Sequence, residues 1–294
     1  MNEITGVIAA VLSSGLGGTA VGATRYVVGA MDPLTLGAFR FGVGFAFLLP
    51  IAVLQAGPWP AKNDWPKVFW LGLLFFGAFP VLFNSSLMFT TASRGALALS
   101  TLPVLTMVVA AILRVEPLTG RKTLGVFIAM AGVVTALLAG LATSPPGAWR
   151  GDLLMVAAAL CMAFYSIWSR PVIRRSGPIR FTTMAMAVGA VFLIAVAAAR
   201  GGFAPVAALG MPQWLAIGYL GLFGSALTFF LWAFALGRTT PTKVAISVTV
   251  NPVTASLVGA VLLGEPIRWN TIVGMLMVLL GIWIATRIHE AGRT

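Results

Sequence analysis

Side chains that commonly catalyse reactions or bind metals are few in this chain. It has seven carboxylates, one histidine and one cysteine, namely Glu3, Asp32, Asp64, Glu116, Asp152, Glu265, Glu290, His289 and Cys161. Hydrolysis or group transfer needs a nucleophile with its base, or a metal with its ligands. The lone cysteine excludes an intrachain disulfide and a cysteine-rich metal site. We expect no catalytic residue, no metal site and no cofactor.

The composition is typical of a protein whose solvent is lipid. Of 294 residues, 59% are hydrophobic and 9% are charged, and the mean hydropathy is +0.99. A soluble domain has about 25% charged residues, so this chain cannot cover its surface with polar groups. Because a spanning helix takes about 20 apolar residues, we expect an all-α integral membrane protein without a sizeable soluble domain.

Ten apolar runs, separated by Gly, Pro and basic residues, predict ten transmembrane helices. The predicted spans are at about 4–27, 33–54, 66–90, 94–114, 121–142, 151–173, 179–199, 212–236, 242–263 and 268–288. A net charge of +12 would suit nucleic acid in a soluble protein. Here Lys and Arg lie mostly between the apolar runs, where they set orientation, so we expect no nucleic-acid partner.

The placement of Lys and Arg predicts the topology. If the N-terminus is cytoplasmic, the inner segments hold thirteen basic residues and the outer segments five, with Arg40 inside the second span. Cytoplasmic loops carry the excess of basic residues in membrane proteins. We therefore expect both termini in the cytoplasm.

The two halves of the chain resemble each other. Residues 94–136 align with residues 243–285 without a gap, at a shift of 149. The alignment places Pro103, Val104, Glu116, Pro117, Gly125 and Gly132 on Pro252, Val253, Glu265, Pro266, Gly274 and Gly281. Earlier segments match at slightly smaller shifts, such as Phe76-Gly77 with Phe223-Gly224. We predict two repeats, at 1–143 and 150–288, and a cytoplasmic tail at 289–294.

Each predicted repeat has five spans. Because five is an odd number, the second repeat enters the membrane from the opposite face. Inverted repeats of this kind are typical of secondary transporters, whose substrate site lies near the midplane between the repeats. The pattern therefore predicts alternating access around a central cavity.

Further motifs occur at Val250-Asn251-Pro252-Val253, Leu262-Leu263-Gly264-Glu265-Pro266 and Leu36-Gly37-Ala38-Phe39-Arg40-Phe41. Together with Gly274 and Gly281 they resemble the EamA domain of the drug/metabolite transporter superfamily. The resemblance implies a ten-helix carrier of the bacterial inner membrane that exports metabolites or amino acids. Within the family the chain is most similar to the YddG-type aromatic amino-acid exporters. Two departures are that Val115 replaces the glycine before the first Glu-Pro pair, and that Ala185 stands opposite Arg40.

Three prolines within the predicted spans, Pro80, Pro103 and Pro252, indicate kinks. A proline inside a helix removes one backbone hydrogen bond and frees a carbonyl, here at Leu99 for Pro103 and at Val248 for Pro252. In lipid that carbonyl must find a protein or water partner. The prolines are interpreted as hinges or cavity-facing kinks, with a static packing kink as the alternative.

Charged residues in or near the spans have two interpretations each. The Glu-Pro pairs, Glu116-Pro117 and Glu265-Pro266, form a gate or cap a helix start. Arg40 lies about 10 Å into its helix. It either faces a cavity and attracts a substrate carboxylate, or snorkels outward while tying helices together.

Polar or aromatic residues deep in the spans are the cavity candidates. They are Ser13, Ser14, Thr19, Phe79, Asn84, Ser85, Tyr165, Trp168, Thr228, Trp232, Ser247 and Asn251. In the resembling family, the first, third, fourth, sixth, eighth and ninth helices surround the cavity. The small residues among them have a plain packing role as the alternative. Hydroxyls, amides and rings without charge favour a neutral or zwitterionic solute with apolar bulk.

We expect facilitated export of aromatic and other hydrophobic neutral amino acids, or related metabolites, without proton coupling, since no carboxylate or histidine falls deep in a span. The alternatives are a drug, quaternary-ammonium or nucleotide-sugar carrier with ion coupling, an intramembrane enzyme, and a channel. The sequence shows no acidic cage, buried nucleophile with a base, or ring of charges that would favour them. The expected partners are a small-molecule substrate and the lipid bilayer, and the protein is a monomer or a homodimer.

Overall fold

The computed structural model describes residues 2–141, 146–254, 257 and 269–286. Throughout these ranges the protein is built from helices joined by turns and has no strand. The helices are α1 Asn2–Val27, α2 Pro33–Leu54, α3 Lys62–Phe89, α4 Ala92–Leu99, α5 Leu102–Ile112, α6 Gly120–Leu141, α7 Ala148–Ser176, α8 Pro178–Ala199, α9 Met211–Arg238, α10 Pro241–Ala245 and α11 Trp269–Thr286. Seven helical stretches of the described residues are long and apolar enough to cross a membrane. The second Glu-Pro pair, the end of the ninth predicted span and the tail lie outside these ranges.

The start of α2 shows how local sequence sets a helix boundary. Asp32 is extended, and its carboxylate accepts hydrogen bonds from the backbone N–H groups of Leu34, at 2.9 Å, and Thr35, at 3.3 Å. Pro33 occupies the first helical position, where a backbone N–H has no partner in the helix. An acidic cap followed by proline therefore fixes the point at which α2 begins.

The fourth predicted span is broken into α4 and α5. Ser100 and Thr101 form the turn between them, and their hydroxyls donate to the carbonyls of Ala96, at 2.8 Å, and Ala98, at 2.7 Å. These bonds satisfy carbonyls at the end of α4. Pro103 lies in the first turn of α5. The sequence predicted that it bends a continuous helix, whereas in the structure it opens a new one.

The ninth predicted span changes its winding at the corresponding place. A 3₁₀ turn, Ile246–Val250, follows α10, and residues 251–254 return to α-helix with Pro252 in their first turn. The hydroxyl of Thr249 donates to the carbonyl of Ile246 at 2.6 Å. Both matched prolines therefore begin the second part of an interrupted helix.

Two π-helical turns interrupt α3 and α9, at Leu73–Ala78 and Leu222–Leu227. Their starts are 149 residues apart, which is the shift found for the Glu-Pro segments. The pairing of Phe76-Gly77 with Phe223-Gly224, at a shift of 147, is therefore wrong in register by two residues. Pro80 follows the first π turn closely, whereas Phe229 stands at the equivalent place after the second.

Close contacts around the π turns recur in pairs. Gly44 of α2 packs on Ser225 in the π turn of α9, and Gly189 of α8 packs on Phe76 in the π turn of α3. In the same way, Gly221 of α9 packs on Val43 of α2, and Gly72 of α3 packs on Val188 of α8. Each partner on α8 lies 145 residues after its counterpart on α2. The two halves therefore place equivalent helices against each other in the same way.

Glycines bring α6 and α11 together. A Cβ atom built on Gly125 would lie 2.6 Å from the carbonyl oxygen of Gly281, and one on Gly132 would lie 2.7 Å from that of Gly274. Only glycine permits this backbone approach. The structure pairs these glycines between two helices of one chain.

Candidate functional site: a cavity between the halves

Side chains from both halves enclose a cavity inside the bundle. Its polar lining consists of Ser13, Ser14, Arg40, Thr228 and Asn251. The cavity measures about 50 Å³, which is room for a few water molecules. Pockets for small-molecule ligands usually measure about 300 Å³ or more. The cavity must therefore widen before it can hold a metabolite.

A line of hydroxyls joins α1 to the interrupted ninth segment beside the cavity. The oxygens of Ser14 and Ser247 lie 2.8 Å apart, and the single hydroxyl proton of Ser247 can go to the carbonyl of Ala10, at 3.0 Å, or to that of Val244, at 2.7 Å. These contacts place Ser247 directly behind Ser14, which itself lines the cavity. The wall at this point is thus polar but already hydrogen-bonded.

Asn251 lies at the point where the 3₁₀ turn returns to α-helix. It is buried, and its amide group lies against Gly17 of α1, where a Cβ would approach the side-chain nitrogen to 3.3 Å. Its Oδ1 atom has no hydrogen-bond partner among the described residues. A buried acceptor left without a donor costs about 1–3 kcal/mol, so this oxygen is a natural place for a ligand donor.

Arg40 projects from α2 into the cavity wall and reaches the π turn of α9. Its Nε donates to the hydroxyl of Ser225 at 2.9 Å, and its Nη2 donates to the carbonyl of Gly224 at 2.6 Å. The side chain is 5% exposed. It has no ion pair with any carboxylate in the described part of the chain. Arg40 therefore ties two helices together and also presents an uncompensated positive charge at the cavity.

Two more side chains support this π turn. The hydroxyl of Thr228 donates to the carbonyl of Phe223 at 2.6 Å, and the hydroxyl of Ser13 donates to the carbonyl of Thr228 at 2.7 Å. A π turn bonds residues five apart, and the carbonyl of Phe223 also accepts the backbone N–H of Thr228. In α9, side chains from α1, α2 and α9 supply further donors, whereas in α3 Pro80 prevents regular α-helical bonding.

Four aromatic side chains form a wall of the cavity. Phe79, Phe83, Phe229 and Trp232 line it, and the indole N–H of Trp232 donates to the hydroxyl of Ser166 at 3.3 Å. Behind this wall the ring of Phe75 stacks on that of Tyr165, with centroids 4.0 Å apart. The wall is apolar and has its one polar group already bonded, so it suits the hydrophobic part of a ligand.

Ion pairs join helices at both ends of the bundle. At the end where α1 begins, the Nζ of Lys243 lies 2.6 Å from the carboxylate of Glu3. At the end where α7 begins, Arg94 pairs with Asp152, which also accepts a 3.0 Å hydrogen bond from Thr90. Arg94 and Lys243 are 149 residues apart. The basic residues of the two ion pairs therefore occupy equivalent positions of the two halves.

Comparison with known proteins decides the family. The profile of the EamA-like transporter family matches residues 4–138 and, a second time, residues 149–287. The chain belongs to this family. Two copies of one family unit cover nearly the whole chain. The cavity of this EamA-like transporter is lined by residues of both copies.

Relatives of this EamA-like transporter include proteins that are named as transporters, one of them as an exporter. It is 26% identical to "Uncharacterized transporter YyaM" of Bacillus subtilis, over 90% of this chain and 88% of that one. It is 29% identical to a "Probable terminal-alkyne amino-acid exporter" of Streptantibioticus cattleyicolor, over 88% of this chain and 89% of that one. A solved crystal structure shares its fold with a TM-score of 0.76 at 21% identity, over 97% and 96% of the two chains. The relatives are named as transporters, and the protein is a transporter and not an enzyme.

The structure brings seven of the predicted site residues of this EamA-like transporter to the cavity. They are Ser13, Ser14, Arg40, Phe79, Thr228, Trp232 and Asn251, with Ser247 bonded behind them. Within the described residues, no group of three or more His, Cys, Asp or Glu side chains could hold a metal.

Other predicted residues lie elsewhere. Thr19 bonds to the hydroxyl of Tyr219, and Asn84 donates to the carbonyl of Pro33 at 3.0 Å. Tyr165 is buried in the aromatic core, and Ser85 is absent from the lining of the cavity. Trp168 is 48% exposed and lines a groove on the outside of the bundle. Pro80 lies after the π turn of α3, next to Gly37 of α2.

Sequence reasoning missed several residues that line or support the cavity. The missed lining residues are Gly17, Val21, Phe83, Leu99, Met162, Phe229 and Val248. Phe83 lies four residues after Phe79, so the helical period placed it on the same face. Ser225 was missed as well, because nothing in the sequence marks the π turn that presents it to Arg40.

Proposed function

We propose that this EamA-like transporter exports hydrophobic neutral amino acids, including aromatic ones, or closely related small metabolites. The observation that carries the proposal is the cavity, which combines a polar side at Arg40 and Asn251 with an apolar wall at Phe79, Phe83 and Trp232. A hydrophobic amino acid is divided in the same way, into a zwitterionic head group and an apolar side chain. The name of the Streptantibioticus cattleyicolor relative, an amino-acid exporter, supports the same class of solute.

The proposed architecture is ten transmembrane helices in two inverted repeats, at 1–143 and 150–288, with both termini in the cytoplasm of a bacterium and the helices in its inner membrane. The paired contacts of Gly44 with Ser225 and Gly189 with Phe76 support the repeats. The double match of the family profile supports them too. Of the described helices, α6 has the length to cross a membrane as well, with 22 residues.

The proposed mechanism is alternating access around the cavity. Ion pairs at both ends, Glu3 with Lys243 and Asp152 with Arg94, support an arrangement in which either end opens while the other stays joined. Equivalent halves can exchange conformations, which turns the cavity from one side of the membrane to the other. The interrupted segments at Pro103 and Pro252 supply places where the helices bend during the exchange.

Transport is proposed to dissipate the substrate gradient without proton coupling. No Asp, Glu or His of the described residues lines the cavity. A proton-coupled carrier usually places such a group along the substrate path. A quaternary-ammonium substrate is disfavoured, because the buried charge of Arg40 would repel a permanent cation.

The test is counterflow in proteoliposomes. Vesicles loaded with unlabelled phenylalanine and diluted into labelled phenylalanine, without a pH or salt gradient, are expected to take up the label saturably, and tryptophan or methionine should block it. Absence of uptake by correctly inserted protein would contradict the amino-acid proposal. Accumulation driven by a pH gradient alone would contradict the uncoupled mechanism.

A further inference from the structure

The charge of Arg40 is the starting point. The guanidinium is buried in the bundle, and its described partners, the carbonyl of Gly224 and the hydroxyl of Ser225, are neutral. Neutral acceptors repay only part of the cost of removing a cation from water. An anionic group in the cavity would complete the site, and a carboxylate fits a guanidinium through two parallel hydrogen bonds.

A complementary group lies on the other repeat. Asn251 lines the same cavity, is 7% exposed, and carries a buried Oδ1 with no partner among the described residues. An amide oxygen accepts a hydrogen bond from an ammonium group without adding a negative charge that would compete for Arg40. The cavity therefore has one donor site for an anion and one vacant acceptor for a cation.

We infer that Arg40 and Asn251 form a subsite for the head of an α-amino acid, in which Arg40 binds the carboxylate and Asn251 Oδ1 accepts from the ammonium group. The side chain of the substrate then lies against Phe79, Phe83 and Trp232. This assignment rests on the proposed function and deepens it, since it makes both charged groups of the substrate necessary. It further implies that Arg40 exchanges part of its bonding to the π turn of α9 for the substrate carboxylate.

The test uses three ligands that share a phenyl group. Phenylalanine carries both charges, phenethylamine lacks the carboxylate, and 3-phenylpropionate lacks the ammonium group. Each is measured as a competitor of counterflow and, independently of transport, by the thermal stabilisation it gives the purified protein in detergent. We expect phenylalanine to bind at least about tenfold better than either analogue, which is the loss expected for one hydrogen bond to a charged group.

Variants assign each charge to its residue. R40Q should weaken phenylalanine binding about tenfold without weakening that of phenethylamine, and N251A should weaken phenylalanine but leave 3-phenylpropionate unchanged. Two matched controls lie outside the cavity. Arg180 is also buried and also donates to backbone carbonyls, including that of Ala52 at 3.1 Å. Asn84 is buried with an unpartnered Oδ1 of its own among the described residues. R180Q and N84A should bind phenylalanine as the wild type does.

The outcomes separate the two proposals. If phenylalanine is transported but phenethylamine or 3-phenylpropionate competes equally well, the subsite is wrong and the proposed function stands. If binding requires both charges but no counterflow occurs, the subsite stands and the transport proposal fails. If R40Q loses its fold, R40K keeps the positive charge, and a normal preference for phenylalanine in R40K with none in N251A still supports the assignment. Equal effects of R40Q and R180Q on ligand preference would overturn it.

Discussion

Glu116, just after the end of α5, contacts Thr242 at the beginning of α10. One carboxylate oxygen of Glu116 accepts a 3.0 Å hydrogen bond from the backbone N–H of Thr242 in the first turn of α10, and the other lies 2.8 Å from the Nζ of Lys122. The side chains of Glu116 and Lys122 are 5% and 14% exposed. A carboxylate is favourable at a helix start, where N–H groups are unpaired. The first Glu-Pro pair thus caps a helix of the opposite half.

Substitution of Glu116 should lower stability in two steps. E116A removes both interactions and should cost about 1.5–3 kcal/mol, the value of hydrogen bonds to a charged group. E116Q keeps an acceptor for Thr242 but loses the ion pair, and should cost less. The melting temperature of the purified protein in detergent measures both. A larger loss for E116Q than for E116A would contradict this account of the contact.

Breaking the ion pairs at the two ends of the bundle should open the cavity to opposite sides of the membrane. D152N removes the negative charge that pairs with Arg94, and E3Q removes the one that pairs with Lys243. With the lone cysteine replaced by C161S and a reporter introduced by S13C in the cavity, an impermeant thiol reagent is applied from each side of the membrane. D152N should raise labelling severalfold from the side of Asp152, and E3Q from the side of Glu3. Increased labelling from one and the same side in both variants would rule out separate gates.

The glycine contacts of α6 and α11 should be intolerant of a methyl group. G132A would place a Cβ 2.7 Å from the carbonyl oxygen of Gly274, and overpacking of this kind costs about 1–3 kcal/mol. G218A is the control, because Gly218 lies in α9 with no atom within 4 Å of its Cβ position. Alanine there should be neutral or stabilising, since it favours helix by about 1 kcal/mol. Similar melting temperatures for the two variants would argue against close packing.

The π turn of α9 should depend on the hydroxyl of Thr228. T228V keeps the shape of the side chain but leaves the carbonyl of Phe223 without its 2.6 Å donor, a loss of about 1–2 kcal/mol. T228S keeps the hydroxyl and serves as the matched control. Thermal unfolding in detergent distinguishes them, and a T228S protein as unstable as T228V would show that the methyl group and not the hydrogen bond matters.

The sequence predicted the extent of several apolar runs well, because hydropathy alone reports them. The predicted span 66–90 corresponds to α3, Lys62–Phe89, and the predicted span 179–199 to α8, Pro178–Ala199. The breaks were harder to predict. A proline in an apolar run looks the same whether it bends one helix or opens another, and Pro103 opens one because the hydroxyls of Ser100 and Thr101 end α4 first.

The rotation of each helix about its axis was also beyond the sequence. Tyr165 and Trp168 are three residues apart on α7 and were both placed in the cavity, yet Tyr165 is 1% exposed and Trp168 is 48% exposed. In a soluble protein the polar face would have separated them. In lipid the outside of a helix is as apolar as its inside, so the pattern gives the depth of a residue but not its direction.

The contact between α6 and α11 has a consequence for assembly. The glycine faces that would allow two copies of the protein to dock closely are already occupied by each other. What these helices present outward are large side chains, among them Leu124, Phe127, Leu276 and Trp283. A second copy that met them would have to pack on bulky, adaptable residues at a wider spacing, so any dimer formed there would be held by loose apolar contacts and would depend on the surrounding lipid.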